Sequence, residues 1–138
     1  MEINLIEMQN IKGIHPDKPI FPISIVAELL KVHQRTLRIY DEESILIPSR
    51  SPKNRRLYSV NDVEKGKFIQ YLTRELRLNL AGMRIIFSLL KQQNITQDKY
   101  MEYIRNMAQE LNICPEDQEI KKIKLSKRSR KPESNQNL

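Results

Sequence analysis

The feature that most constrains this chain is a basic, turn-rich octet, Ser49-Arg50-Ser51-Pro52-Lys53-Asn54-Arg55-Arg56, set between short apolar segments. Pro and Asn in its middle favour a turn, and the apolar pieces on either side, Ile45-Leu46-Ile47 and Leu57-Tyr58, are suited to pair as a small hairpin. Ile45-Leu46-Ile47, ended by Pro48, is the expected first strand of that hairpin. A projecting basic hairpin of this kind is a wing.

Helical patterns flank it. Ser24 is the expected N-cap of a short helix to about Leu30, with Ile25, Val26, Leu29 and Leu30 apolar and Ala27 small enough to admit a close neighbour. Lys31-Val32-His33 interrupts the pattern, and a second helix is predicted from Gln34 to about Glu43. Its Leu37 and Tyr40 fall on one face, while Gln34, Arg35 and Arg38 fall on another. Two short helices around a tight turn, the second with a basic face, make a helix-turn-helix. After the wing, Ser59 and Asp62 have capping-box spacing for a helix through Val63, Phe68, Ile69 and Leu72 to about Leu76. Asn79 caps a further helix carrying Met83, Ile86, Phe87 and Leu90. Gly82 in its first turn costs about 1 kcal/mol relative to Ala, which implies a packing reason. Thr96 is the expected cap of a last helix over 96–112, with Tyr100, Ile104, Met107 and Leu111 as an apolar seam.

Charge narrows the function. The 138 residues carry a net charge of +7. Residues 22–92 hold 13 basic and 7 acidic side chains, residues 93–120 hold 2 and 6, and residues 121–138 hold 7 and 1. The positive charge therefore lies on the presumptive body and on a tail that is expected to be disordered, which favours a polyanionic partner. Cys114 is the one cysteine, which rules out an internal disulfide. Glu2 and Glu7 interrupt the apolar N-terminus and no apolar run is long enough to span a bilayer, so a cytoplasmic location and no membrane contact are expected. His15, His33 and one Cys, without a phosphate-cradling Gly loop or a recognisable carboxylate pair, form no catalytic constellation, and no metal or cofactor is expected.

The run from Pro22 to Leu72 is similar to the DNA-binding domain of MerR-family transcription regulators. The residues that carry the resemblance are Arg35-Thr36-Leu37-Arg38-Ile39-Tyr40-Asp41, Leu46-Ile47-Pro48, Arg56-Leu57-Tyr58-Ser59 and Asp62. Within that family, Val32-His33-Gln34-Arg35-Thr36-Leu37-Arg38, Leu72-Thr73-Arg74-Glu75-Leu76 and Asn79-Leu80-Ala81-Gly82-Met83 resemble the HspR-type heat-shock repressors. The resemblance implies a winged-helix fold, a homodimer, an inverted-repeat operator in double-stranded DNA, and repression of chaperone genes, in some relatives with a DnaK-type chaperone as co-repressor. Metal- and thiol-sensing relatives have two or more cysteines near the dimer helix; Cys114 stands alone here.

The expected architecture is mainly α: an extended arm over 1–21, a winged helix-turn-helix over 22–92, an amphipathic dimerisation helix over 93–113 and a disordered basic tail over 114–138. Arg35 and Arg38, three residues apart, can each fork to guanine O6 and N7 or clamp a phosphate, unless Asp41 or Glu42 pairs with them at helical spacing. Gln34 reads adenine or meets a phosphate at the helix N-terminus, and Thr36 is a backbone contact. Lys53, Arg55 and Arg56 bring wing charge to the phosphates, with bracing of the wing as the other role open to Arg56. Tyr58 either hydrogen-bonds a phosphate or packs on the following helix. His33 is a cap or a DNA-side polar group. Tyr100, Ile104, Met107 and Leu111 form the dimer surface or pack within their own chain. Two further readings compete: a ligand- or thiol-responsive, promoter-distorting activator of the same family, and an RNA-binding or ribosome-associated basic protein.

Overall fold

A computed structural model describes residues 14–113, and the chain divides into two units, Met1–Gln97 and Asp98–Leu138. The first unit contains, in order, β1 (Phe21–Pro22), α1 (Ile23–Leu30), α2 (Gln34–Glu42), β2 (Ser49–Arg50), β3 (Arg56–Tyr58), α3 (Val60–Gln70), a π-helical turn (Tyr71–Glu75) and α4 (Leu80–Gln92). A 3-10 turn over Gln97–Lys99 leads into α5 (Tyr100–Glu110) of the second unit. Helices dominate, with one small antiparallel sheet in strand order β1-β3-β2. Among the described residues no helix is long and apolar enough to cross a membrane.

Local signals set most helix starts. The Ser59 hydroxyl accepts from the Asp62 N–H at 3.1 Å while the Asp62 carboxylate accepts from the Ser59 N–H at 2.9 Å, so the capping box on α3 is complete. Asn79 Oδ1 accepts from the Gly82 N–H at 2.8 Å. A Cβ at Gly82 would stand 3.2 Å from that same Oδ1, a tight contact with the capping side chain. Two expected caps are corrected. Ser24 lies inside the first turn of α1, whose N-cap is Pro22, and α5 begins at Tyr100 behind the 3-10 turn with Lys99 as N-cap, not Thr96.

The strands also shift from expectation. Ile45 and Leu46 are each 1% exposed, and burial of two neighbours breaks the alternation a half-buried strand requires. Ser44, at φ 57°, turns the chain out of α2, and the Ile45 and Leu46 N–H groups donate to the Tyr40 carbonyl at 2.8 and 3.2 Å. The pair thus plugs the end of α2, and Ser49–Arg50 becomes the strand instead. Residues expected as an arm likewise enter the sheet: Phe21 pairs with Tyr58, and the Ile20 N–H donates to the Tyr58 carbonyl at 3.0 Å.

The core of the first unit draws Val26 and Leu30 from α1, Leu37 and Tyr40 from α2, Tyr58 from β3, Val63, Phe68 and Ile69 from α3, and Met83, Phe87 and Leu90 from α4, all buried. Phe68 and Phe87 meet edge to face, 5.7 Å between centroids. Ala27 is buried, and a close approach is also made at Gly66, where a Cβ would stand 2.5 Å from Leu30 Cδ1. In the second unit, Tyr100, Ile104 and Ala108 are buried, whereas Tyr103, Met107 and Leu111 are exposed.

Tyr58 is fully buried, and burial pushes its phenol up to about 12 against the opposing pull of the Arg56 charge. Its unfolded phenol titrates near 10, so between pH 10 and 12 the unfolded chain loses a proton that the folded one keeps. Stability therefore falls as pH rises through that window, by about 2–3 kcal/mol from this group. Burial raises the Tyr40 phenol in the same direction. Urea unfolding at pH 9 and pH 11.5 is expected to show a smaller alkaline loss for Tyr58→Phe than for wild type; equal losses would contradict the assignment.

Candidate nucleic-acid interface

The basic helix α2 is positioned from behind and from its start. Leu37 is 0% exposed and Tyr40 is buried, so the opposite face must point outward. Arg35 and Arg38 lie on that outward face and are exposed; Gln34 and Thr36 flank it, half-buried. His33 is the N-cap, its Nδ1 accepting from the Arg35 N–H at 3.0 Å, which realises the capping role read from the sequence. Arg38 donates weakly to Gln34 Oε1 at 3.5 Å, and among the described residues no ion pair engages Arg35 or Arg38. Asp41 takes other partners, while Glu43 meets Arg84 at 3.8 Å.

The turn before α2 is held by the polypeptide around it. Lys31 adopts φ 54°, and the Val32 N–H closes back onto the Ala27 carbonyl at 3.0 Å. From the π-helical turn, Arg74 donates to the Lys31 carbonyl at 2.9 Å, tying the end of the α3 segment to the helix-turn-helix turn. Thr73 supports the π turn, its hydroxyl donating to the Ile69 and Gln70 carbonyls at 3.1 Å. Sequence periodicity gives no sign of this tie, because its partners are 43 residues apart.

β2 and β3 form the wing, with Asn54 at φ 61° in its turn. Ser51 organises that turn: its N–H donates to the Arg55 carbonyl at 2.8 Å, and its hydroxyl accepts from the Arg55 N–H at 3.1 Å. Lys53 and Arg55 are exposed at the tip. Arg56 is not; its side chain is 21% exposed and its Nε donates to Asp41 Oδ2 at 2.8 Å. Of the two roles open to Arg56, the geometry realises the brace. Tyr58 is removed from the DNA-facing set altogether, since a fully buried side chain cannot reach a phosphate.

Two residues escaped the sequence reading. Asp41 was named only as an alternative partner, with Glu42, for Arg35 or Arg38; its Oδ2 receives Arg56 from β3 and Arg50 from β2, the latter at 3.1 Å. Arg50 was read only as part of a basic run. The remaining predicted elements divide: Gln34, Arg35, Thr36 and Arg38 share α2, Lys53 and Arg55 share the wing tip, and Tyr100 and Ile104 are buried while Met107 and Leu111 stay exposed in the second unit. Cys114 and the basic tail lie outside the described residues. Among the described residues no three His, Cys, Asp or Glu side chains gather to hold a metal.

Comparison with known proteins agrees with this geometry. The family model described as "MerR HTH family regulatory protein" matches residues 21–90. The chain is 40% identical over 79 residues to the HTH-type transcriptional regulator GlnR of Bacillus anthracis, covering 57% of this chain and 59% of that protein. It is 37% identical over 76 residues to the "Putative heat shock protein HspR" of Streptomyces coelicolor, covering 55% of this chain and 50% of the relative. With the HTH-type transcriptional regulator TnrA of Bacillus subtilis it shares 39% identity over 51 residues, 37% of this chain and 46% of the other. The chain thus spans about half the length of the curated relatives it matches. The matched region coincides with the winged helix-turn-helix, and the chain belongs to the MerR family of helix-turn-helix regulatory proteins.

Proposed function

We propose that this chain is a sequence-specific, DNA-binding transcription regulator that acts as a homodimer on an inverted repeat and represses heat-shock and chaperone genes. The observation that carries the DNA-binding reading is the outward basic face of α2, where Arg35 and Arg38 are exposed without an ion pair among the described residues. A guanidinium in that position is available to fork onto guanine or to clamp a phosphate. Gln34 and Thr36 border the same face, and Lys53 and Arg55 at the wing tip supply charge for the flanking backbone. The stress reading is supported by the likeness to the Streptomyces relative; a DnaK-type co-repressor belongs to that reading. GlnR and TnrA are named as transcriptional regulators, which favours this account over an enzyme or an RNA-binding adaptor.

One helix-turn-helix makes few base contacts, so specificity calls for two half-sites. Tyr103 and Met107 of α5 and Leu111 at its C-cap, spaced four residues apart, form an exposed apolar stripe at 39%, 40% and 62% exposure, and this stripe is the proposed dimer surface. Tyr100 and Ile104 are buried and stand apart from the stripe. Size-exclusion chromatography with light scattering should give twice the chain mass for wild type and a single-chain mass for the Met107→Asp, Leu111→Asp double variant. A monomeric wild type, or a double variant that stays dimeric, contradicts this surface. Deleting the gene should raise chaperone transcripts without heat; unchanged transcripts would refute the repressor assignment while leaving the DNA-binding one standing.

A further inference from the structure

One carboxylate oxygen joins the basic helix α2 to both strands of the wing. Asp41 Oδ2, near the end of α2, accepts from Arg56 Nε of β3 at 2.8 Å and from Arg50 of β2 at 3.1 Å. Arg50 and Arg56 are directly paired across the strands, an arrangement of like charges that is unfavourable unless an anion stands between them. The second nitrogen of Arg50 donates to the Asn54 carbonyl at 3.3 Å, at the left-handed residue of the wing turn. A continuous path of charge-assisted bonds therefore runs from the base-facing helix to the wing tip. The Asp41 and Arg56 side chains are 15% and 21% exposed, so that pair is sheltered from solvent screening more than an ordinary surface ion pair, while the Arg50 side chain is 43% exposed.

We infer that Asp41 is a positioning residue: it locks α2 and the wing at one spacing, and it withholds Arg50 and Arg56 from phosphates so that only matched contacts add to affinity. The inference rests on the DNA-binding reading above. Base readout needs side chains held within about 0.5 Å of their productive places, which a mobile wing cannot provide. An unclamped Arg50 and Arg56 would meanwhile become two additional cations for any DNA backbone, whatever its sequence. Asp41 thus raises discrimination both by holding geometry and by suppressing indiscriminate charge.

The test uses the full chain and two duplexes, one selected by wild type from a random library and one scrambled from it. Asp41→Asn is expected to bind the scrambled duplex about 2–10-fold more tightly at low salt, with a log–log salt slope steeper by about 1–2, near 0.9 for each arginine released to a phosphate. Its preference for the selected duplex should fall about tenfold, because the released wing misplaces its contacts. Glu102→Gln on α5 removes the same single charge and should behave as wild type in both slope and preference. Arg50→Gln, which breaks one arm of the clamp without releasing a cation, should lose preference with no steeper slope. A merely structural role would weaken binding to both duplexes together. Either that result, or wild-type preference and slope in Asp41→Asn, overturns the inference while wild type still discriminates. Failure of wild type to prefer any duplex would instead overturn the DNA-reading assignment, and the positioning role with it.

Discussion

Leu37→Ala is expected to destabilise the chain by about 2–5 kcal/mol, the cost of removing a fully buried leucine and leaving its cavity. Leu37 is 0% exposed, on the inner face of α2, and with Tyr40 it is what holds the basic helix to the body. Helix α1 packs against both α2 and α3, so α2 is seated on a helical framework. A small domain has only about 5–15 kcal/mol of stability, so the thermal midpoint should fall on the order of 10–30 °C. Circular dichroism melts of wild type and variant measure this directly. A loss below about 1 kcal/mol would mean that α2 is anchored some other way.

The neighbouring residue on the same helix should behave in the opposite manner. Arg38→Ala is expected to leave the melting curve within about 0.5 kcal/mol of wild type, because Arg38 is exposed and its one described side-chain bond, to Gln34, is long. Binding to the selected duplex should nevertheless weaken by about 1–3 kcal/mol, roughly 5–150-fold, the value of one well-made arginine–base contact. Binding to scrambled DNA should change far less, losing about one phosphate contact's share of the salt dependence. Fluorescence anisotropy titrations on both duplexes separate these outcomes. Equal weakening on both would assign Arg38 to the backbone, and unchanged binding would take it off the DNA surface. Two adjacent positions on α2 are thus assigned to separate functions by the direction each side chain takes.

What could be read from the amino acids was what they do locally. The His33 and Asn79 caps and the Ser59–Asp62 box each join a side chain to backbone within three residues, and all three are present. The Leu37/Tyr40 face follows from helical spacing, and the wing follows from its Pro/Asn turn. Helix ends near Leu30, Glu43 and Leu76 were read to within a residue, but the device that makes them leaves no local mark. Lys31, Ser44, Arg77, Asn94 and Asn112 all take positive φ, and each is followed by an apolar residue whose N–H closes back onto the preceding helical segment. Those apolar residues are Val32, Ile45, Leu78, Ile95 and Ile113. This is the usual left-handed helix stop with an apolar closing residue, but built without the glycine that ordinarily betrays it. The Ile45–Ile47 strand failed through the same device, since a left-handed Ser44 turns the apolar pair into the core. Long-range ties were beyond reach: Arg50 and Arg56 meet Asp41 across 9 and 15 residues, where no periodicity operates. Of the four seam residues of α5, Tyr100 and Ile104 are buried while Met107 and Leu111 are exposed together with Tyr103, a division that spacing alone does not give.

Guanine N7 opens only into the major groove, so its reactivity toward dimethyl sulfate on the selected duplex reports directly on where the arginines of α2 sit. Wild type should shield at least one guanine N7 in each half-site, and Arg38→Ala should restore reactivity at one of them while wing-side backbone protection persists. If every N7 in the bound duplex reacts as it does in free DNA, α2 is not in the major groove.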